Sequence, residues 1–247
     1  MESFGDEFMQ DNLEAQLKRR RFSQFIAVAG LSCLNINLGM NAQASIAKPE
    51  AGIEYTVLAQ AQSTGSSPKI EVIEFFAYYC HFCYGLEPTL AEWVKKQGDK
   101  INFKRIHVLN PGVEAQQKLF FALDAIGKAD ELHNQIFDAY HVQRNRLMTD
   151  EQVRDFINKT TIDKAAFFSA YNSFTVKTKQ GRSQRVMADY EVNSWPTLIV
   201  DGRFHTSPSM AGKEYGRPSE EQANQALLPV LDWLIAKAQK DKAAASK

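Results

Sequence analysis

Two cysteines with two residues between them, Cys80-His81-Phe82-Cys83, are the side chains of this chain best suited to chemistry. A thiolate attacks a disulfide sulfur through a mixed disulfide, and a second thiol one helical turn later can close onto the first. The pair follows an apolar run, Ile70–Tyr78, rich in the β-branched and aromatic residues of a buried strand. It precedes Leu86, Leu90, Trp93 and Val94 at helical spacing, so the spacing predicts a strand-to-helix junction at Cys80. The unpaired N–H groups and dipole of a helix N-terminus favour negative charge and lower a cysteine pKa. Cys80 is therefore expected to be the attacking and leaving sulfur, and Cys83 the more buried, resolving one. His81, as imidazolium, would stabilise the Cys80 thiolate further, and Phe82 would pack or shape the approach. The alternative is half of a zinc site. Zinc wants four ligands, no second Cys-x-x-Cys exists, and His107, His133, His141 and His205 are scattered. No metal is expected, and no separate cofactor, because the redox group is the cysteine pair itself.

Glu74 is the next candidate. Strand alternation places Val72, Glu74 and Phe76 on one face, and a carboxylate inside a buried strand is costly unless it is paired or working. Lying one strand length before Cys80, it could take or relay the proton of Cys83, with a raised pKa; the alternative is a glutamate facing solvent at a sheet edge. Further on, Ser194-Trp195-Pro196-Thr197-Leu198 puts a proline at a strand start. Alone this would mean only a strand boundary; taken with the cysteine pair it resembles the cis-proline loop of the thioredoxin superfamily, where a cis bond would leave the Trp195 backbone free to pair with an extended substrate beside Cys80.

These residues need a frame. The helix predicted from Cys80 to Lys96 stops at Gly98-Asp99, and Ile101–Leu109 reads as a second strand, giving a βαβ unit with parallel strands. From Val113 to Asp189 the pattern is helical, enough for about five short helices. Thr149 with Gln152, and Asp163, cap two of them. Strand character returns at Thr197–Val200, Asp201-Gly202 predicts a hairpin turn, and Arg203–Thr206 is the return strand. A last helix spans about Ser219 to Ala238, with a kink or break expected at Pro229. The predicted architecture is α/β, a thioredoxin fold with an inserted helical domain. Residues 45–69 form a linker with a short edge strand and 70–110 the first thioredoxin half. The helical insert is 111–190, the second half is 191–239, and 240–247 is a disordered tail.

Residues 1–44 read as an address. Lys18-Arg19-Arg20-Arg21, the moderately apolar Phe25–Met40 and the small-x-small Ala42-Gln43-Ala44 are the three parts of a secretory signal peptide. Cleavage after Ala44 or Ala47 would remove Cys33, the only other cysteine; an uncleaved anchor is the alternative. An exported chain left with one cysteine pair has none spare for a structural bridge. The 247 residues are 44% hydrophobic and 23% charged with zero formal net charge. That is ordinary globular composition, with no basic bias toward nucleic acid.

The run Glu-Phe-Phe-Ala-Tyr-Tyr-Cys80-x-x-Cys83, the helical insert and the Pro196 loop with Asp201-Gly202 together resemble the DsbA family of disulfide oxidases over roughly residues 52–238. The resemblance implies a periplasmic enzyme that oxidises newly exported proteins and is reoxidised by a DsbB-like quinone-linked membrane protein. It assigns Glu74 to the family's buried acid and Cys80, Cys83 and Pro196 to its catalytic positions; Phe82 and Trp195, aromatic residues near the motif, are expected with Pro196 to touch substrate. Two positions depart from the family pattern: His81-Phe82 stands where Pro-His is usual, and Trp195 where Val is frequent. Both tune thiol pKa and substrate grip, so a reductase or isomerase stays open beside the oxidase. So does a peptide-binding, chaperone-like module that works without its thiols. A monomer is the simplest expectation.

Overall fold

A computed structural model describes residues 48–65 and 67–245. The signal peptide with Cys33, its cleavage sites at Ala44 and Ala47, and the last two residues of the tail lie outside them. Strands β1 (Thr56–Val57), β2 (Ile70–Phe76), β3 (Ile101–His107), β4 (Thr197–Val200) and β5 (Phe204–Thr206) form one sheet in the order β1-β5-β4-β2-β3. β2 pairs parallel with β3, as a βαβ unit requires, and antiparallel with β4; β5 is antiparallel to both β4 and β1. Every residue of β2 is buried, because it lies between two strands and under helices on both faces.

Helix α1 (His81–Gln97) covers one face together with the last helix, α8 (Glu220–Ala245). Leu86, Leu90 and Trp93 meet Ile70, Val72, Leu198 and Val200 of the sheet and Leu227, Leu231 and Leu234 of α8 in one cluster. Asp232 clasps the two helices, accepting from Trp93 Nε1 at 2.9 Å and Gln97 Nε2 at 2.8 Å. Ile73 and Phe75 point the other way, into a second cluster built with the helical insert. That insert holds the five expected helices: α2 (Glu114–Ala125), α3 (Ala129–His141), α4 (Asp150–Asn158), α5 (Lys164–Tyr171) and α6 (Phe174–Asp189). Thr149 and Asp163 cap α4 and α5 as predicted, accepting the backbone N–H groups of Gln152 and Ala166. A short α7 (Pro208–Ala211) precedes α8.

One expectation fails at the C-terminus. The residues from Lys240 are not a disordered tail: α8 continues to Ala245. The reason is electrostatic. Lys242 pairs with the buried Asp201 at 2.9 Å and Asp241 with Arg203 at 3.1 Å, fastening the last turns to the β4–β5 hairpin, while Lys237 of the same helix meets Asp241 at 3.1 Å. Of the kink or break expected at Pro229, the break is excluded, because the helix runs through it with flanking Leu227, Val230 and Leu231 buried. Among the described residues no helix is long and apolar enough to cross a membrane.

The hairpin turn uses two left-handed residues, Asp201 (φ 54°) and Gly202 (φ 61°). The second has to be glycine for a further reason. Residues 58–62 run along the hairpin, with Leu58 N–H donating to Arg203 O and Gln62 N–H to Gly202 O, both at 2.8 Å. A Cβ at 202 would stand 2.3 Å from the Gln62 carbonyl oxygen. Gly127 has a similar φ of 66° but open space around it. Gly127→Ala should cost about 1–2 kcal/mol, the left-handed penalty alone. Gly202→Ala should cost about 2 kcal/mol more, through overpacking against backbone. Urea unfolding of the two variants checks this, and equal losses would refute the clash.

Candidate active site

β2 ends at Phe76, Ala77 to Tyr79 turn the chain, and Cys80 becomes the N-cap of α1. Its backbone is extended, and its sulfur takes the place of the usual capping oxygen, accepting the Cys83 N–H at 3.3 Å. Both sulfurs are free thiols in this structure. Cys83 is fully buried and Cys80 is 8% exposed. The hydrogen bond with the Cys83 thiol, helped by the backbone N–H groups of Cys83 and Phe82, holds the Cys80 pKa below the usual thiol value, against burial and the charge of Glu220. Burial pushes the Cys83 thiol well up, and the neighbouring Cys80 and Glu74 push the same way. The two thiols are therefore unequal in the sense expected: one outer and acidic, one inner and reluctant.

The Trp195–Pro196 bond is cis, and the Trp195 carbonyl oxygen lies 3.5 Å from Cys80 Sγ, where it accepts from the thiol. Trp195 also meets the Tyr79 ring edge-on, with centroids 6.3 Å apart. Residues 115 positions apart in sequence thus flank one sulfur. An extended peptide laid along this loop would run past Cys80. Phe82 is 59% exposed, so it is no part of the core and stands on the open rim.

Glu74 is 1% exposed and in the interior of the sheet, which disposes of the solvent-facing edge. Its register partner on β3 is Arg105, whose Nε donates to Glu74 Oε2 at 3.1 Å. The same guanidinium donates to Glu87 on α1 at 3.0 and 3.1 Å and to Asp130 at 2.9 Å. Behind them His133 Nε2 stands 3.3 Å from Glu87, and the other ring nitrogen 3.3 Å from the buried Tyr78 hydroxyl. One cation cannot keep two buried carboxylates ionised at their ordinary acidity. Burial works against both. Bonds from His133 and Arg105 nevertheless bring Glu87 below its usual value. Glu74 is left as the weak acid, raised by burial to about 8 although Arg105 opposes this. A carboxyl group of that strength, whose charge is felt by the Cys83 thiol, is suited to exchanging a proton near neutral pH.

His81 has a neighbour that its sequence position does not suggest. Its side chain is 73% exposed, and its Nε2 lies 3.4 Å from Glu220 Oε2 on α8. Sequence reasoning missed Glu220, which stands 140 positions from Cys80 with no local signal. It missed Arg105, Glu87 and His133 as well. The first two were within reach: Arg105 follows from the parallel register of the βαβ unit, and Glu87 lies one turn beyond Cys83. Among the described residues no group of three or more His, Cys, Asp or Glu converges as metal ligands would.

Comparison with known proteins gives a consistent result. The profile of the DSBA-like thioredoxin domain matches residues 90–215, which take in the whole insert and the Pro196 loop. The thiol:disulfide interchange protein DsbA of Burkholderia cepacia is 37% identical over 217 residues, covering 86% of this chain and 98% of that protein. The protein of the same name from Pseudomonas aeruginosa is 33% identical over 210 residues, covering 85% and 92%. The crystal structure of Pseudomonas aeruginosa DsbA superposes with a TM-score of 0.68 at 32% identity, covering 81% of this chain and 97% of that one.

The Glu74 assignment has a pH signature. A carboxyl group whose folded pKa is raised above its unfolded value stabilises the fold fully below the unfolded pKa, and that contribution is lost as pH rises through the folded one. Between about pH 4.5 and 8, the wild type should lose stability relative to Glu74→Gln by a few kcal/mol, with no further change above. Urea midpoints of the reduced proteins at pH 5, 6.5 and 8 check it. A difference that stays constant across the range would mean that Glu74 is ionised throughout.

Proposed function

This chain belongs to the DsbA family of the DSBA-like thioredoxin fold, and from that premise we propose that it oxidises thiols of exported proteins through the Cys80–Cys83 disulfide. It is a thiol:disulfide oxidoreductase. The observation that carries it is the inequality of the two thiols, with Cys80 acidic at the N-cap beside the Trp195–Pro196 loop and Cys83 buried behind it.

In the oxidised enzyme a substrate thiolate attacks Cys80 Sγ. The Cys80–Cys83 bond breaks and a mixed disulfide forms. The electron pair leaves on Cys83, whose sulfur takes up a proton, and we assign Glu74 in its neutral form as the donor, since a negative charge on Glu74 opposes ionisation of this thiol. A second substrate thiolate then attacks the substrate sulfur of the mixed disulfide. Cys80 departs as a thiolate and the substrate keeps the disulfide. An acidic Cys80 leaves readily, which favours this direction. Trp195 and Pro196 supply a backbone edge for an extended substrate segment, and exposed Phe82 an apolar contact beside it. No cofactor beyond the cysteine pair takes part. A quinone-linked membrane oxidase of the DsbB kind would restore the disulfide. The basic, apolar and small-residue pattern of residues 1–44 supports export to the periplasm by a cleaved signal.

The deciding measurement is the reduction potential of the full chain carrying Cys33→Ser, which leaves two thiols, equilibrated in glutathione buffers and read by alkylation. An oxidase should give a couple clearly more positive than about −200 mV. A value near the roughly −270 mV of thioredoxin would move the protein to the reductases.

A further inference from the structure

The contact between His81 and α8 lies outside the steps just described. Glu220 is the first residue of α8, and its side chain is 31% exposed. It leans over α1 at Gly85, where an added Cβ would fall 1.8 Å from Glu220 Oε1. The missing side chain at 85 is thus what admits the carboxylate to the first turn of α1. A turn further along α8, Asn224 Nδ2 donates to the Gly85 carbonyl oxygen at 3.2 Å, fixing this approach. From that seat Glu220 reaches His81 Nε2 at 3.4 Å. The other charged or titratable groups facing His81 are His141 of α3, with ring centroids 6.3 Å apart, and Cys80 next to it in the chain. His141 is held by its own bond to the Tyr78 carbonyl oxygen at 2.9 Å and by stacking on Tyr84, so Glu220 is the acidic partner of His81.

We propose that Glu220 is a positioning residue for the redox pair: seated over Gly85, its carboxylate holds the His81 ring on α8 and puts negative charge where the imidazole would otherwise favour the Cys80 thiolate. The proposal rests on the reading of Cys80 as the attacking thiol, but not on the direction of the redox reaction. Its consequence is that Glu220 restrains the oxidising power of the couple. Removing the charge does two things of the same sign: it lifts a repulsion from the thiolate, and it frees His81 to turn toward the sulfur. The charge of Glu220 does oppose ionisation of Cys80.

The test is Glu220→Gln in the full chain carrying Cys33→Ser, with Cys80 titrated in the reduced protein by thiolate absorbance at 240 nm. The acid constant of Cys80 should rise about threefold to tenfold, and the equilibrium with glutathione should shift toward the reduced enzyme. The same substitution in a His81→Asn background should give a clearly smaller rise, since only the charge is then removed. No change in the titration of Cys80 overturns the proposal. An equal rise in both backgrounds overturns the holding of His81. Because the titration reads the thiol directly, it answers for Glu220 even if the potential places the enzyme among the reductases.

Discussion

The bond from the Cys83 amide to the Cys80 sulfur, 3.3 Å long, ties three requirements together. It starts α1, because a helix needs an acceptor for its first free N–H groups. It places the two sulfurs on one turn, so that a disulfide can form and break without the backbone moving far. It also directs the positive end of the helix at the outer thiol. None of this survives if β2 ends elsewhere, and β2 is fixed by full burial between β3 and β4. The sheet in turn brings the start of β4, and with it Trp195 and Pro196, against the same sulfur. The catalytic geometry is a consequence of strand order.

The second constraint is a shortage of positive charge beneath the site. Two carboxylates are buried there with one guanidinium between them, and Asp130, 91% exposed, shares it from the surface. Removing the cation would leave the Glu87 carboxylate buried without its guanidinium and Glu74 without a donor, so the contacts to Arg105 are better read as a condition for tolerating the acids than as a source of stability. The tolerance is unequal. Glu87 has His133 as a second partner and Glu74 does not. The proton therefore stays on Glu74, on the strand that leads to Cys80. A buried acid with an ordinary pKa would have nothing to exchange at neutral pH.

How much of this was legible in sequence follows from how far each interaction reaches along the chain. The fold, the βαβ unit, the five helices of the insert and the hairpin at Asp201-Gly202 come from periodicity and turn chemistry, which act over a few residues. The cysteine pair and the cis Pro196 loop are legible because each has a local signature and the family resemblance joins them. Glu74 stood out as a charge in an apolar strand, yet its partner Arg105 is visible only once the register of β2 and β3 is known. The last turns of α8 looked like a tail because Ala and Lys carry no apolar stripe there. They are held by pairs with Asp201 and Arg203, some forty residues earlier. What sequence reading lost was long-range charge pairing, which has no period.

The same limit bears on the two positions that depart from the family pattern. A histidine next to the nucleophile suggests a thiolate better stabilised than usual, if only neighbours in the chain are considered. The structure adds a neighbour from α8. Glycine at 85 opens a space, Glu220 occupies it, and the histidine turns to the carboxylate. The identity of the dipeptide between the cysteines is then an incomplete guide to the acidity of Cys80. Its effect depends on what the last helix presents to it. In a fold whose active-site helix packs against a helix from the other end of the chain, the chemistry of the cysteine pair belongs to that interface as much as to the four-residue motif.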